Sequence, residues 1–208
     1  MREFYVYVPF ADRMMDDFAA ALVEEKNKKN RVLGHHTLIG RANQGNTARS
    51  PLAVVGSYDR LYVCIHGASK RAGVGVYHTS TWGRTANTEV RHEVSGEGLA
   101  GQLVDLGLAN KSIDVRLWTC WGGGKETEDR DGAAAGDHDR RSFALRFATG
   151  LKARGRTSVT VTGYTKLVDL GVARLRASGG KKKLQAVYGQ DTYGATDDGK
   201  IQYKVSAI

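Results

Sequence analysis

The chain has only two cysteines among its 208 residues, Cys64 and Cys120. A small domain held together by a disulfide framework needs several cysteine pairs, so that class of secreted scaffold is excluded. A single bridge between the two thiols is the alternative. However, Cys64 falls in the middle of one apolar, strand-like segment and Cys120 at the end of another. Two reduced thiols in a reducing compartment are therefore expected.

Long hydrophobic runs are also missing. No segment approaches the roughly 20 apolar residues that a helix needs to cross a bilayer, so no membrane span is predicted. The segment from Met1 to Pro9 lacks the apolar centre and the small-residue cleavage site of a signal peptide. The prediction is a cytoplasmic protein, or an effector that is secreted without a cleavable signal.

The composition is otherwise that of one globular domain. Hydrophobic residues make up 41% of the chain and charged residues 25%, which is usual for a soluble protein. There is no internal repeat, no low-complexity segment and no linker, so residues 1–208 are predicted to form a single α/β domain. The sequence contains no phosphate-binding loop and no dinucleotide fingerprint.

The net charge of the chain is +9, and most of the surplus lies between residues 151 and 208. A surplus of this kind favours polyanionic partners such as nucleic acid, inositol phosphates or anionic lipid. A basic surface without a dedicated ligand is the alternative.

Alternating and helical patterns give the order of the elements. Residues 3–8 alternate as a strand does, and Asp12 and Ser95 are each placed to cap a helix. Short strands are expected near Val32 and Val54. Further strands are predicted over 60–66, 74–80, 88–94, 113–119 and 157–163, and helices over 97–108 and 139–153.

The succession of strand, helix, strand, helix and strand between residues 60 and 163 predicts a parallel sheet with right-handed crossovers. In such a sheet the carboxyl ends of the strands meet at one edge, where open α/β sheets place their functional sites. Two of these strands end in reactive side chains. The segment that begins at Leu61 ends in His66-Gly67, and the segment that begins at Ile113 ends in Cys120.

His66 and Cys120 have the chemistry of a catalytic dyad. A thiol becomes a good nucleophile when it ionises, which a neighbouring imidazole promotes, and the imidazolium can then protonate a leaving amine. Backbone N–H groups at a turn are the simplest donors to an oxyanion, and those of Gly67 and Cys120 are suitably placed. If His66 or Cys120 is considered alone, the alternative to a catalytic role is a structural role in the core.

The two strand ends resemble the signature of the caspase-like cysteine peptidases, in which one apolar strand ends in His-Gly and a later one ends in a small residue and Cys. The matching segments are Val63-Cys64-Ile65-His66-Gly67 and Leu117-Trp118-Thr119-Cys120. The self-processing cysteine protease domains of large bacterial toxins are the most similar. In them a hairpin follows His-Gly and a leucine-bearing helix, here Gly96 to Leu103, leads into the cysteine strand.

The resemblance implies a caspase-like three-layer sandwich with a mostly parallel central sheet, flanking helices and a C-terminal β-flap. It also implies a cysteine endopeptidase that cleaves a protein or peptide substrate through a thioester acyl-enzyme. His66 and Cys120 carry over as the dyad, and the amides of Gly67 and Cys120 as the oxyanion donors. Another Cys–His acyl-transfer enzyme, a deamidase or acyltransferase, is one alternative. A non-catalytic polyanion-binding module on the same fold is the other.

Toxin members of this group are activated by inositol hexakisphosphate, which they hold in a basic pocket away from the catalytic edge. Clustered Lys and Arg suit phosphate oxygens, and a solvated basic hairpin is the alternative. The candidate residues are Lys152, Arg154, Arg156, Arg174, Arg176, Lys181, Lys182 and Lys183. No cofactor is expected to be required, and nucleic acid is not expected as a partner.

Aromatic and acidic side chains near the two strand ends are candidates for substrate binding. Carboxylates beside the nucleophile would favour Lys or Arg at the P1 position of the substrate, and tryptophans would pack against it; solvent-facing acids and a rim or core role for the tryptophans are the alternative. The candidates are Trp82, Trp121, Glu126, Glu128, Asp129 and Asp131. The histidines share no metal-ligand spacing with the cysteines, so no metal site is predicted.

Overall fold

The computed structural model describes residues 3–17, 19–20, 36–40, 50–67, 74–82, 87–119, 142–164 and 200–208. For residues 36–40, 79–82, 87–89 and 200–201 it describes the backbone alone. These ranges form a mixed α/β structure with a six-stranded sheet and a three-stranded sheet. None of the described helices is long and apolar enough to cross a membrane.

The strands in chain order are β1 (Phe4–Val8), β2 (His36–Gly40), β3 (Arg60–Cys64), β4 (His66–Gly67), β5 (Val74–Trp82), β6 (Asn87–Ser95), β7 (Asp114–Trp118), β8 (Thr160–Tyr164) and β9 (Lys200–Lys204). The large sheet has the order β2-β1-β3-β7-β8-β9. Its first five strands are parallel, and β9 is antiparallel to β8. Strands β4, β5 and β6 form the small antiparallel sheet. The predicted parallel pairing of the histidine and cysteine strands, and the predicted hairpin between them, are confirmed.

Three α-helices are described, and each begins at a side-chain cap. Residues 13–17 and 19–20 form α1, and α2 (Gly96–Asp105) and α3 (Phe143–Ala153) follow. Oδ1 of Asp12 accepts a hydrogen bond from the N–H of Met15 at 3.1 Å. The hydroxyls of Ser95 and Ser142 accept from the third residue of the helix that follows each of them. The caps predicted at Asp12 and Ser95 are therefore confirmed.

One face of the large sheet packs against α2 and α3. Alternate residues of the strands point to this face, as the period of a strand requires, and they join the inner faces of both helices in one buried cluster. The cluster includes Leu61 and Val63 of β3, Val115 and Leu117 of β7, Leu99 and Leu103 of α2, and Phe147 and Leu151 of α3. The expected α/β class, with a mostly parallel sheet flanked by helices, is confirmed.

Some boundaries differ from the sequence predictions. Val54 lies in a 3₁₀ helix, Pro51–Val54, and not in a strand. Pro51 favours a helical first turn, and the N–H of Leu52 is bonded to the carbonyl of Leu106. Helix α2 ends at Asp105 because Gly107 adopts φ +95, which a right-handed helix excludes. The strand expected near Val32 lies outside the described residues.

Candidate active site

The order of strands in the large sheet reverses between β1 and β3. From β1 the chain passes through α1 to β2 on one side, whereas from β3 it passes through α2 to β7 on the other. Connections that leave in opposite directions open a crevice at the carboxyl ends of the two central strands. Asp12 follows β1 and His66 follows β3, so the topology brings both residues to this edge of the sheet.

Asp12 and His66 are in contact there. Oδ2 of Asp12 lies 3.3 Å from Nε2 of His66, and the two side chains are 2% and 20% exposed. Nε2 is buried and makes no hydrogen bond to any described residue, so the pair is close but not aligned as an N–H···O bond. Catalytic hydrogen bonds are often long or poorly aligned before substrate binds. The contact therefore places a carboxylate within reach of the imidazole.

The carboxylate of Asp12 is held by two backbone donors. Oδ1 accepts from the N–H of Met15 at 3.1 Å, and Oδ2 accepts from the N–H of His78 at 2.8 Å. The first bond caps α1, and the second ties strand β5 to the end of β1. These bonds fix the orientation of the carboxylate that faces His66.

His78 is the third side chain of this group. Its Nδ1 lies 3.8 Å from Oδ2 of Asp12, and the ring centroids of His66 and His78 are 5.2 Å apart. The hairpin register accounts for this proximity, because His66 pairs with Val76 and residues two apart on a strand share a face. One ligand atom from each of Asp12, His66 and His78 lies within 4.8 Å of the others.

Cys120 lies outside the described residues, but the strand that leads to it is described. Strand β7 pairs with β3 as far as Cys64 and Trp118, and the N–H of Ile65 donates to the carbonyl of Trp118 at 3.3 Å. Thr119, which precedes Cys120, is buried. The meeting of His66 and Cys120 stays a prediction. The substrate-binding candidates Trp121, Glu126, Glu128, Asp129 and Asp131 also lie outside the described residues.

Two other candidates are described at the level of the strand. Gly67 follows His66 in β4 and pairs with Gly75, so it belongs to the same edge as the histidine. Trp82 is the last residue of β5. At about 3.3 Å per residue it lies roughly 20 Å along the strand from Val76, the partner of His66. The structure therefore places Gly67 beside His66, whereas the backbone of Trp82 lies far from His66.

Cys64 is a free thiol that is completely buried in β3. Burial raises the pKa of this thiol far above its ordinary value. A thiol that stays protonated is a poor nucleophile, so Cys64 has a structural role in the sheet.

The basic candidates that the structure describes lie at the end of α3 and shortly after it. Helix α3 runs back from the carboxyl edge to the start of β8, so these residues belong to the edge opposite His66. Each donates to a backbone carbonyl: Lys152 to Ile208, Arg154 to Gly150 and Arg156 to Leu108. Some of their N–H donors are thus used in hydrogen bonds at the end of α3 and to neighbouring chain segments. The remaining candidates, Arg174, Arg176, Lys181, Lys182 and Lys183, lie outside the described residues.

The sequence pattern alone does not select Asp12 or His78 for the site. An aspartate before a helix predicts a cap, and Asp12 has that role as well. The sequence signal for a second role of Asp12 is that it follows a strand of a parallel sheet within a few residues. His78 has no signal beyond the alternation of a hairpin strand.

Comparison with protein-family models, with curated proteins and with solved structures finds no match to this chain.

Proposed function

We propose that the protein is a cysteine endopeptidase of the caspase-like type, with Cys120 as the nucleophile and His66 as the general base and acid. The observation that carries the proposal is the contact between Asp12 and His66, at 3.3 Å, at the carboxyl edge of a parallel sheet. The neighbouring strand β7 leads directly into Cys120.

Asp12 supports this chemistry by acting through His66, as a positioning residue. A carboxylate beside Nε2 favours the tautomer that carries its proton on Nε2, which leaves Nδ1 free to accept the proton of a thiol. The same carboxylate stabilises the imidazolium that forms when His66 takes that proton.

The reaction then proceeds by acyl transfer. The thiolate of Cys120 adds to the carbonyl carbon of the substrate, and the N–H groups of Gly67 and Cys120 stabilise the oxyanion. The C–N bond breaks as His66 gives its proton to the leaving amine, and a thioester remains. A water molecule that His66 deprotonates hydrolyses the thioester and restores the free thiol.

The order of elements supports the caspase-like reading. The hairpin of β5 and β6 follows His66-Gly67, and α2, which buries Leu99 and Leu103, leads into β7. A three-layer sandwich with a C-terminal β-flap belongs to this proposal. The proposal also includes activation by inositol hexakisphosphate, bound at the basic residues near the end of α3. It further includes a location in the cytoplasm, or secretion as an effector.

The test is a fluorogenic peptide library with every residue type at P1, with and without inositol hexakisphosphate. It is run on the wild type and on the Cys120→Ala and His66→Ala variants. We expect cleavage by the wild type and a loss of at least roughly 10³-fold in each variant. Full cleavage by Cys120→Ala would overturn the dyad. Release of ammonia from glutamine peptides without peptide cleavage would assign the site to a deamidase.

A further inference from the structure

Three side chains that commonly bind metal ions converge at the end of β1. Oδ2 of Asp12 lies 3.3 Å from Nε2 of His66 and 3.8 Å from Nδ1 of His78, and the ligand atoms of all three lie within 4.8 Å of one another. A tetrahedral ion with bonds of about 2.0–2.1 Å to N and O holds its ligand atoms roughly 3.3 Å apart. The three side chains are therefore close to the spacing that such an ion requires.

Two further observations favour a ligand at this point. Nε2 of His66 is buried and has no hydrogen-bond partner among the described residues, a state that costs free energy unless another group satisfies the atom. The carboxylate of Asp12 is oriented by the N–H groups of Met15 and His78. Support of this kind is what metal-binding carboxylates commonly have.

We propose that Asp12, His66 and His78 form a binding site for a divalent transition-metal ion, and that zinc is the ion the donors fit best. Two imidazoles and a carboxylate suit zinc, whereas magnesium and calcium prefer oxygen ligands alone. Three protein ligands leave the fourth position of a tetrahedral ion open. The imidazole side chains of His66 and His78 are 20% and 30% exposed, so the group lies close to solvent.

The consequence for activity rests on the proposed function. A zinc ion on Nε2 requires neutral His66 to carry its proton on Nδ1, where the imidazole donates a hydrogen bond but cannot accept a proton. His66 then cannot take the proton of Cys120. Bound zinc is thus an inhibitor of the peptidase, and its removal restores the general base.

Zinc binding is measured by competition with a chromophoric zinc indicator, so that the readout does not depend on activity. The full chain carrying Cys120→Ala is used, which keeps the nucleophile out of the measurement. We expect one zinc ion per chain, an affinity at least tenfold lower when His78→Ala is added, and no competition by millimolar magnesium. The matched control is His92→Ala, on the neighbouring strand β6, where the ring stacks on Tyr77; its affinity should not change.

His78→Gln is tested beside His78→Ala, because it keeps side-chain volume if the smaller residue lowers stability. The backbone N–H that holds Asp12 is present in both. Unchanged zinc affinity in both folded variants overturns the site. In the activity assay, a chelator should activate the wild type and leave His78→Ala unaffected. If the protein binds zinc and zinc does not inhibit cleavage, only the regulatory role is overturned. If the protein binds zinc but cleaves no peptide, the proposed function is overturned and the metal site stands.

Discussion

Oδ2 of Asp12 lies 3.3 Å from Nε2 of His66, and the two residues follow adjacent parallel strands, β1 and β3. The register pairs Phe4 with Arg60 and Tyr7 with Val63, so the two chain segments leave the sheet at the same level. The carboxylate of Asp12 therefore caps α1, accepts a bond from the hairpin and faces the imidazole. Under the proposed function, a change at Asp12 should affect stability and activity together, and a variant that keeps the helix cap is needed to separate the two.

Asp12→Asn is that variant. Asparagine caps helices about as well as aspartate, but its amide N–H would stand where Oδ2 accepts from the N–H of His78, so the melting temperature should fall by roughly 5–10 °C while the protein stays folded. The amide carries no charge to stabilise an imidazolium, and an N–H facing Nε2 favours the wrong tautomer of His66. We expect kcat for peptide cleavage to fall by about 10²-fold or more, with little change in KM.

The control for this prediction is Asp16→Asn, which removes an exposed carboxylate from the first turn of the same helix. Its kcat should match that of the wild type. A similar loss in both variants would mean that the charge of the helix end matters and that the contact with His66 does not.

The two cysteines should react very differently with iodoacetamide at pH 6. Cys64 is completely buried, and burial raises the pKa of its thiol, so it should not react in the folded protein. Cys120, if activated by His66, should react at a pH where an ordinary thiol of pKa about 8.5 is almost fully protonated. Intact-mass measurement should find one label on the wild type and on Cys64→Ala, and none on Cys120→Ala. Labelling of native Cys64 would contradict its burial.

Local periodicity suffices to predict α2 and α3, because each helix buries one face at the expected period, and two alternating segments around a short connection suffice to predict the hairpin. It does not predict the conformation of Val54, since a contact between Leu52 and Leu106 decides that segment. It also does not place Asp12 beside His66. That contact depends on the order of the strands. Strand order is a property of the whole sheet, and the local alternation of apolar and polar residues does not reveal it.

The crossing of α2 and α3 depends on Gly150. A Cβ atom there would lie 2.8 Å from Cα of Glu97 and 2.9 Å from Cβ of Ala100, so the helix backbones would have to separate. Alanine is favoured over glycine in a helix by about 0.5–1 kcal/mol, yet we expect Gly150→Ala to lower the free energy of unfolding by about 1–3 kcal/mol. Urea denaturation measures the difference.

Gly98→Ala is the matched control for the helix crossing. A Cβ atom there would lie 3.2 Å from Oγ of Ser95 and 3.5 Å from Cγ2 of Val94, both of them side-chain atoms. Helix propensity and mild crowding should nearly cancel, and the free energy of unfolding should change little. A stabilising Gly150→Ala would mean that the two helices are not in close contact.

Tyr164 should make the protein less stable at alkaline pH. Burial is the main cause that raises the pKa of this phenol from 10.0 to about 12. Because the folded state holds the proton more tightly than the unfolded state, the contribution is complete below pH 10 and is lost as the pH rises toward about 12. Between pH 9 and pH 12 the wild type should therefore lose about 2 kcal/mol more of its free energy of unfolding than Tyr164→Phe does. Equal pH dependence in the wild type and in Tyr164→Phe would contradict the burial of the Tyr164 phenol.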